Sequence, residues 1–338
     1  MTQKLVLVTG ATGRQGSSLI NALKPSELEA RPEDSEFHVL ALTRNSKSPS
    51  ARLLALQHHV TVIEGNLDSV TSIRGIFEEA KPKGGVWGVC CILAFPGLGA
   101  NADGEEAQGK ALADISLEYN VKSFIFSSVE RGGERDDDKA VLDRLAKVKI
   151  ERHVRELGKQ GIPWTLMRPG FFMENYEGTI GKITVAVLKA GLRPMTTIQL
   201  ITVDDIGYVA AGVLKSPQDF REQILCVVGE CCTLKEQEES YKRATGRSLP
   251  AIPAFIARTL ILINGHTKDL IADIERVHRI QEENEVPDHE VQVAAARRAY
   301  SNIRNFETWA KEKALPSSTR HTNGWNKVTI SKLAAGRQ

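Results

Sequence analysis

The sequence predicts an α/β protein, a doubly wound parallel sheet joined to a smaller, mostly helical C-terminal lobe. Three observations predict it. Apolar runs of strand length alternate with helical patterns through the first half of the chain, a glycine-rich turn follows the first run, and the alternation loosens after residue 170.

Taken in order, the first strand is Leu5-Val6-Leu7-Val8-Thr9, which breaks into Gly10-Ala11-Thr12-Gly13-Arg14-Gln15-Gly16 and runs on as the helix Ser17-Ser18-Leu19-Ile20. Gly10 supplies a tight turn, Gly13 lets backbone approach a pyrophosphate, and Gly16 lets helix pack closely on strand, while the helix dipole favours the anion. That is a Rossmann-type dinucleotide turn. Further strands are expected over residues 37–42, 60–64, 86–94, 122–127 and 163–170, with helices over 52–57, 69–80 and 104–119. A long charged helix should run from about 136 to 158, its Asp136-Asp137-Asp138 being acids drawn to a helix N-terminus. A short strand at 199–202, a helix over 204–215, a strand at 223–228 and mostly helix thereafter complete the pattern. Residues 1–165 therefore read as the dinucleotide domain, its sheet continued by 195–230. Residues 166–315 form the smaller, interleaved lobe, and the Ser/Thr/Lys/Gly-rich stretch 316–338 reads as a flexible tail. The apolar segment 249–263 is either core or the wall of a substrate pocket.

With 338 residues, 41% of them hydrophobic, the chain can bury a large core. A net charge of +2, from 44 basic and 42 acidic residues, gives no global attraction to nucleic acid or anionic membrane, and neither partner is expected. No apolar run approaches the about 20 residues of a membrane span, and the chain enters a strand at once, so a cytoplasmic protein is expected. The five cysteines form no Cys-x-x-Cys and the eight histidines are scattered, so no metal site is expected.

Cofactor choice is read at the end of the second strand, where an acid would hydrogen-bond the ribose of NAD and a base would pair with the phosphate of NADP. Here it ends in Leu42-Thr43-Arg44-Asn45-Ser46-Lys47. Arg44 is the candidate for the 2′-phosphate, with Arg14 approaching from the other side, which favours NADP(H) over NAD. Asn66-Leu67-Asp68 would lie beside the adenine, although Asp68 equally suits a cap for the helix beginning at Ser69.

The glycine turn, Thr43-Arg44-Asn45, Gly65-Asn66-Leu67-Asp68, Lys149 and Arg168-Pro169-Gly170-Phe171-Phe172-Met173-Glu174-Asn175 together resemble the NmrA-like family, over residues 3–215 with a weaker echo at 306–310. These are atypical short-chain dehydrogenase/reductase relatives, similar to isoflavone-reductase-like enzymes. The resemblance implies cofactor contacts from Gly10, Ala11, Thr12, Gly13, Arg14, Gln15 and Gly16, then from Arg44, Asn45, Ser48, Asn66 and Leu67. It adds Leu93, Ala94 and Phe95 after the fourth strand, Lys149, Phe172 and Asn175.

Short-chain dehydrogenases protonate the reduced carbonyl from a Tyr whose pKa is lowered by a Lys four residues later. None of Tyr119, Tyr176, Tyr208, Tyr241 and Tyr300 has that Lys. Ser128, beside Ser127 at the end of the fifth strand, is the candidate for orienting substrate. Resemblance to the isoflavone-reductase-like enzymes implies that Lys149 is the acid/base, whereas resemblance to the regulatory members implies that it contacts the nicotinamide ribose. Lys149 is favoured, with Lys147 the competing residue. Two functions follow. The chain is an NADP(H)-dependent oxidoreductase passing hydride to a carbonyl or conjugated double bond of a small organic, secondary-metabolite-like substrate. Alternatively it is a catalytically inactive NAD(P)(H)-binding redox sensor acting through a protein partner.

Overall fold

A computed structural model of the chain describes residues 3–25, 35–94 and 102–314; Phe95 and the tail 316–338 lie outside them. The first half alternates strictly: β1 (Lys4–Val8), α1 (Arg14–Ala22), β2 (Phe37–Thr43), α2 (Pro49–Ala55), β3 (Val60–Glu64), α3 (Val70–Ala80), β4 (Val86–Cys91), α4 (Asp103–Glu118), β5 (Ser123–Ser127), α5 (Leu142–Gly158) and β6 (Trp164–Pro169). The second half continues with β7 (Phe171–Phe172), α6 (Gly178–Gly191), β8 (Thr197–Ile201), α7 (Val203–Lys215), the single turn α8 (Pro217–Phe220), β9 (Gln223–Val227) and β10 (Glu230–Thr233). Five helices close the described chain, α9 (Leu234–Thr245), α10 (Ala254–Ile263), α11 (Gly265–Glu282), α12 (His289–Ala299) and α13 (Phe306–Ala314).

Seven parallel strands form the main sheet in the order β3-β2-β1-β4-β5-β6-β9. Both faces are covered, which is why β1 reads as an unbroken apolar run with Val6, Leu7 and Val8 fully buried. α1, α7 and α12 pack on one face, α3, α4 and α5 on the other. The strand order reverses between β1 and β4, and the crevice at that switch point is where an open α/β sheet binds its ligands. α7 lies so close to α1 that a Cβ at Gly207 would stand 2.2 Å from Ser18 Oγ.

Four expectations are corrected. β4 ends at Cys91, three residues early. The segment 195–230 extends the main sheet only through β9, beside β6; β8 instead pairs with β7 and β10 in a separate three-stranded sheet. The charged helix starts at Leu142, because Asp137 is drawn inside to Arg131 while Asp136 pairs with Lys139 and Arg276, so these acids fasten a loop and do not cap a helix. In the apolar segment, α10 buries only Ala257; Phe255, Leu262 and Ile263 are 70%, 72% and 65% exposed, so most of the stripe is surface.

The loop after β5 is held by a buried charge cluster. Glu151 of α5, 2% exposed, accepts from Arg131 (2.8 and 2.9 Å) and from Arg168 at the end of β6 (3.2 and 2.5 Å). Arg131 also donates to Asp137, and Arg168 to Glu134. Burial pushes the Glu151 pKa up, but the two guanidinium groups overcome it and hold the carboxyl at about 2. Glu151→Ala would leave two guanidinium groups buried beside a missing partner, and chemical denaturation should register a loss of about 3–5 kcal/mol. Since the native pKa lies below the ordinary 4.5, the stabilisation is complete above that pH and is lost as pH falls towards 2. An acid titration of the wild type should therefore track this loss, and the Ala variant should lack it.

Candidate functional site

The glycine turn occupies the switch point. Thr9 ties the ends of β1 and β4 together, its hydroxyl donating to the Ile92 carbonyl and accepting from the Ile92 amide, both at 2.8 Å. Gly10 follows with φ +58°, and a Cβ there would meet Ile92 O at 2.7 Å. A Cβ on Gly16 would stand 2.4 Å from Gly10 O, so both glycines are demanded by close backbone approach. Ala11 is fully buried beneath the turn, and Thr12 and Gly13 form its half-exposed rim. Gly13 is the N-cap of α1; among the described residues no side chain caps that helix and no acid stands in its first turn. An uncapped N-terminus behind a turn without bulky side chains is a cradle for an anion. Gln15 points inward and accepts from Ser127 Oγ at 2.7 Å, joining the turn to the end of β5.

At the end of β2, Arg44 is exposed and makes no hydrogen bond or ion pair among the described residues. The loop around it is ordered by its neighbours. Asn45 accepts from the Lys47 amide, Ser46 donates twice to Glu64, and Ser48 caps α2 by accepting from the Ala51 amide. Asn66 accepts from the Asp68 amide, and Leu67 packs against the sheet. Ser69, not Asp68, caps α3, and Asp68 accepts from Gln108. Arg14 departs from expectation: its guanidinium turns towards the smaller lobe, 3.5 Å from Glu174 O and 3.2 Å from Glu177, drawn by that carboxylate.

Leu93 and Ala94 follow β4, Leu93 partly buried and Ala94 exposed. Ser128 is buried, its amide bound to Met167 O, yet its hydroxyl makes no hydrogen bond among the described residues. A buried hydroxyl without a partner is a cost that a ligand can remove. The two lysines of α5 separate sharply. Lys149 is 43% exposed and pairs with Glu106 at 2.8 Å, which raises its pKa. Lys147 is 14% exposed and bonds Glu105, and Cys91 at the end of β4 lies within the field of both. Lys149 is therefore the outward residue and Lys147 the inward one, because only the latter finds a buried counter-charge. Glu105 is 5% exposed, with burial pushing its pKa up against the pull of Lys147, and its second oxygen has no hydrogen bond among the described residues. Neither the pairing nor Glu105 was legible in the sequence, since α4 lies some 40 residues away.

Phe172 and Asn175 lie half-buried on β7 and the short turn after it. Between them and α7, Glu174 is buried and accepts from Thr202 Oγ1 (2.7 Å) and the Val203 amide (3.0 Å), meeting the first turn of α7. The tyrosines take no part. Tyr119 donates to Glu78, Tyr176 donates to Gln237, Tyr208 stacks on Tyr300, and Tyr241 packs in the smaller lobe.

A glycine turn at the switch point of a seven-stranded parallel sheet defines a Rossmann-type protein. The chain belongs to the NmrA-like family, whose model matches residues 2–310. It is 26% identical over 259 residues to an NmrA-like family domain-containing protein of Dictyostelium discoideum, covering 73% of this chain and 79% of that one. It is 25% identical over 287 residues to an NmrA-like family domain-containing oxidoreductase of Penicillium ochrochloron, covering 76% and 78%. The crystal structure of NmrA, a negative transcriptional regulator, in complex with NADP superposes with TM-score 0.63 at 20% identity, over 92% of this chain and 95% of that one. No helix of the described residues is long and apolar enough to cross a membrane.

If Ser128 is kept for a ligand, Ser128→Ala should leave the melting temperature of the ligand-free protein unchanged or slightly higher, since no hydrogen bond is lost. Ser127→Ala, which removes the bond to Gln15, should lower it.

Proposed function

We propose that the chain is an NADP(H)-dependent reductase of small organic carbonyl or conjugated compounds. The observation that carries this reading is the inward Lys147–Glu105 pair beside the end of β4, together with the buried Ser128 hydroxyl at the end of β5 that has no partner among the described residues. The bare N-terminus of α1 and the tight approach of Gly10 and Gly16 suit a pyrophosphate, and the unpaired Arg44 suits the 2′-phosphate by a bidentate fork. The likeness to an NADP-bound regulator and to a curated oxidoreductase supports the same cofactor and chemistry.

Bound nicotinamide supplies the hydride. Lys147 then takes the role the absent Tyr would fill, giving a proton from Nζ to the developing alkoxide or enolate while Ser128 Oγ–H orients the oxygen. Glu105, bonded to Lys147, holds the ammonium in place, and Lys147 recovers its proton from solvent. Lys149, bonded to Glu106 at the surface, stays outside the reaction.

A sensor reading is favoured by one contact. Glu177 bridges Arg14 of the glycine turn (3.2 Å) and Lys313 of α13 (2.6 Å), so occupancy of the turn bears directly on the smaller lobe.

Calorimetric titration of NADPH, NADP and NAD should show Arg44→Glu weakening NADPH by about tenfold or more while sparing NAD. Lys147→Ala should retain binding and lose about 10²–10⁴ of NADPH oxidation on a carbonyl panel, with Lys149→Ala near wild type. Binding without turnover on any compound, with Lys147→Ala also abolishing binding, selects the sensor. Absence of dinucleotide binding overturns both.

A further inference from the structure

Away from the glycine turn, three metal-ligating side chains from distant stretches converge where β9 meets the loop after β5. They are the carboxylate of Glu130, the thiol of Cys226 on β9 and the imidazole of His289, the first residue of α12. Their donor atoms all lie within 4.8 Å of one another. Cys226 is fully buried, Glu130 is 9% exposed and His289 is half-buried. Cys226 Sγ stands 2.9 Å from Glu130 Oε2 and 4.0 Å from Gln199 Oε1. Gln199 is 5% exposed, and its amide nitrogen has no hydrogen-bond partner among the described residues. The reduction proposed above uses none of these four groups.

A thiol, a carboxylate and an imidazole are costly to gather in one largely buried place unless something binds them together. Donors of sulfur, nitrogen and oxygen on three separate segments match a zinc-type ion in a tetrahedral site. Ligand atoms about 2.0–2.3 Å from such an ion stand roughly 3.3–3.8 Å apart, a spacing the cluster reaches with small side-chain shifts. The thiolate and carboxylate would neutralise the dication. Arg168, Cys226's neighbour across the strand pair, is balanced by Glu151 and Glu134.

We propose that Glu130, Cys226 and His289 form a zinc site, with Gln199 beside the fourth position, that clamps the start of α12 to β9 and the loop after β5. Binding releases the Cys226 thiol proton to solvent as the Zn–S bond forms, with no change of oxidation state. Because the ligands stand 96 and 63 residues apart along the chain (226 − 130 and 289 − 226), no short motif announces them.

The full chain, treated with a chelator, dialysed and titrated with Co²⁺ and Zn²⁺, tests this. About one ion per chain should bind, and the cobalt form should show a sulfur-to-cobalt charge-transfer band in the near ultraviolet that zinc displaces. Zinc should raise the melting temperature. Cys226→Ser should abolish the band, and His289→Gln should weaken binding by about tenfold or more. His289 is half-buried at a helix start, so its variant decides the matter if Cys226→Ser does not fold. A cobalt spectrum without the sulfur band, or His289→Gln binding as tightly as wild type, overturns the site. Neither result depends on dinucleotide binding or on turnover.

Discussion

The buried carboxylate of Glu151, gripped by Arg131 and Arg168, is the interaction on which the site depends. It joins α5, the end of β6 and the loop after β5. Ser128 and Glu130 lie just before Arg131 on that loop, and Lys147 lies one turn before Glu151 on the same helix. Their positions are therefore set by ionic geometry and not by packing alone. Such a cluster is expensive to desolvate and adds little over an apolar core, but breaking it is costly, so it fixes one arrangement. Gly132 and Gly133, with φ of +76° and +78° against Ile280 and Val286, let the loop turn under α11.

Two further polar contacts tie the smaller lobe to the dinucleotide half. Glu174 meets the amide at the start of α7, where a buried acid gains from the helix dipole, although burial still pushes its pKa up. Asp205, fully buried in the same first turn, accepts from the Arg304 amide and guanidinium, and burial raises its pKa to about 6. Glu174 and Glu177, the latter holding Arg14 and Lys313, place such contacts on the segment after β6. The Glu177 pairs are about a third exposed, each worth under about 1 kcal/mol, weak enough for a bound anion to redirect Arg14.

Legibility followed the range of the physics. The glycine turn, the six strands through residue 169 and the helices between them were readable because period and turn chemistry are local. β3 matched to the residue, and β9 missed by one at its end. The boundary of α5 was misread because Asp137 answers to Arg131, not to the dipole of a helix starting beside it. α10 was misread because helical spacing of apolar residues says which face they share, not what covers it.

The amino-acid sequence by itself determined the doubly wound sheet, the uncapped glycine turn at its switch point and a basic end to β2, since each is written in neighbouring residues. Only the tertiary structure decided which lysine of α5 faces inward, that Arg14 turns to Glu177, and that Glu130, Cys226 and His289 meet. Those outcomes depend on partners 42 to 163 residues away, Glu105 for Lys147, Glu177 for Arg14, and such contacts exist only once the strands have fixed the distances between them.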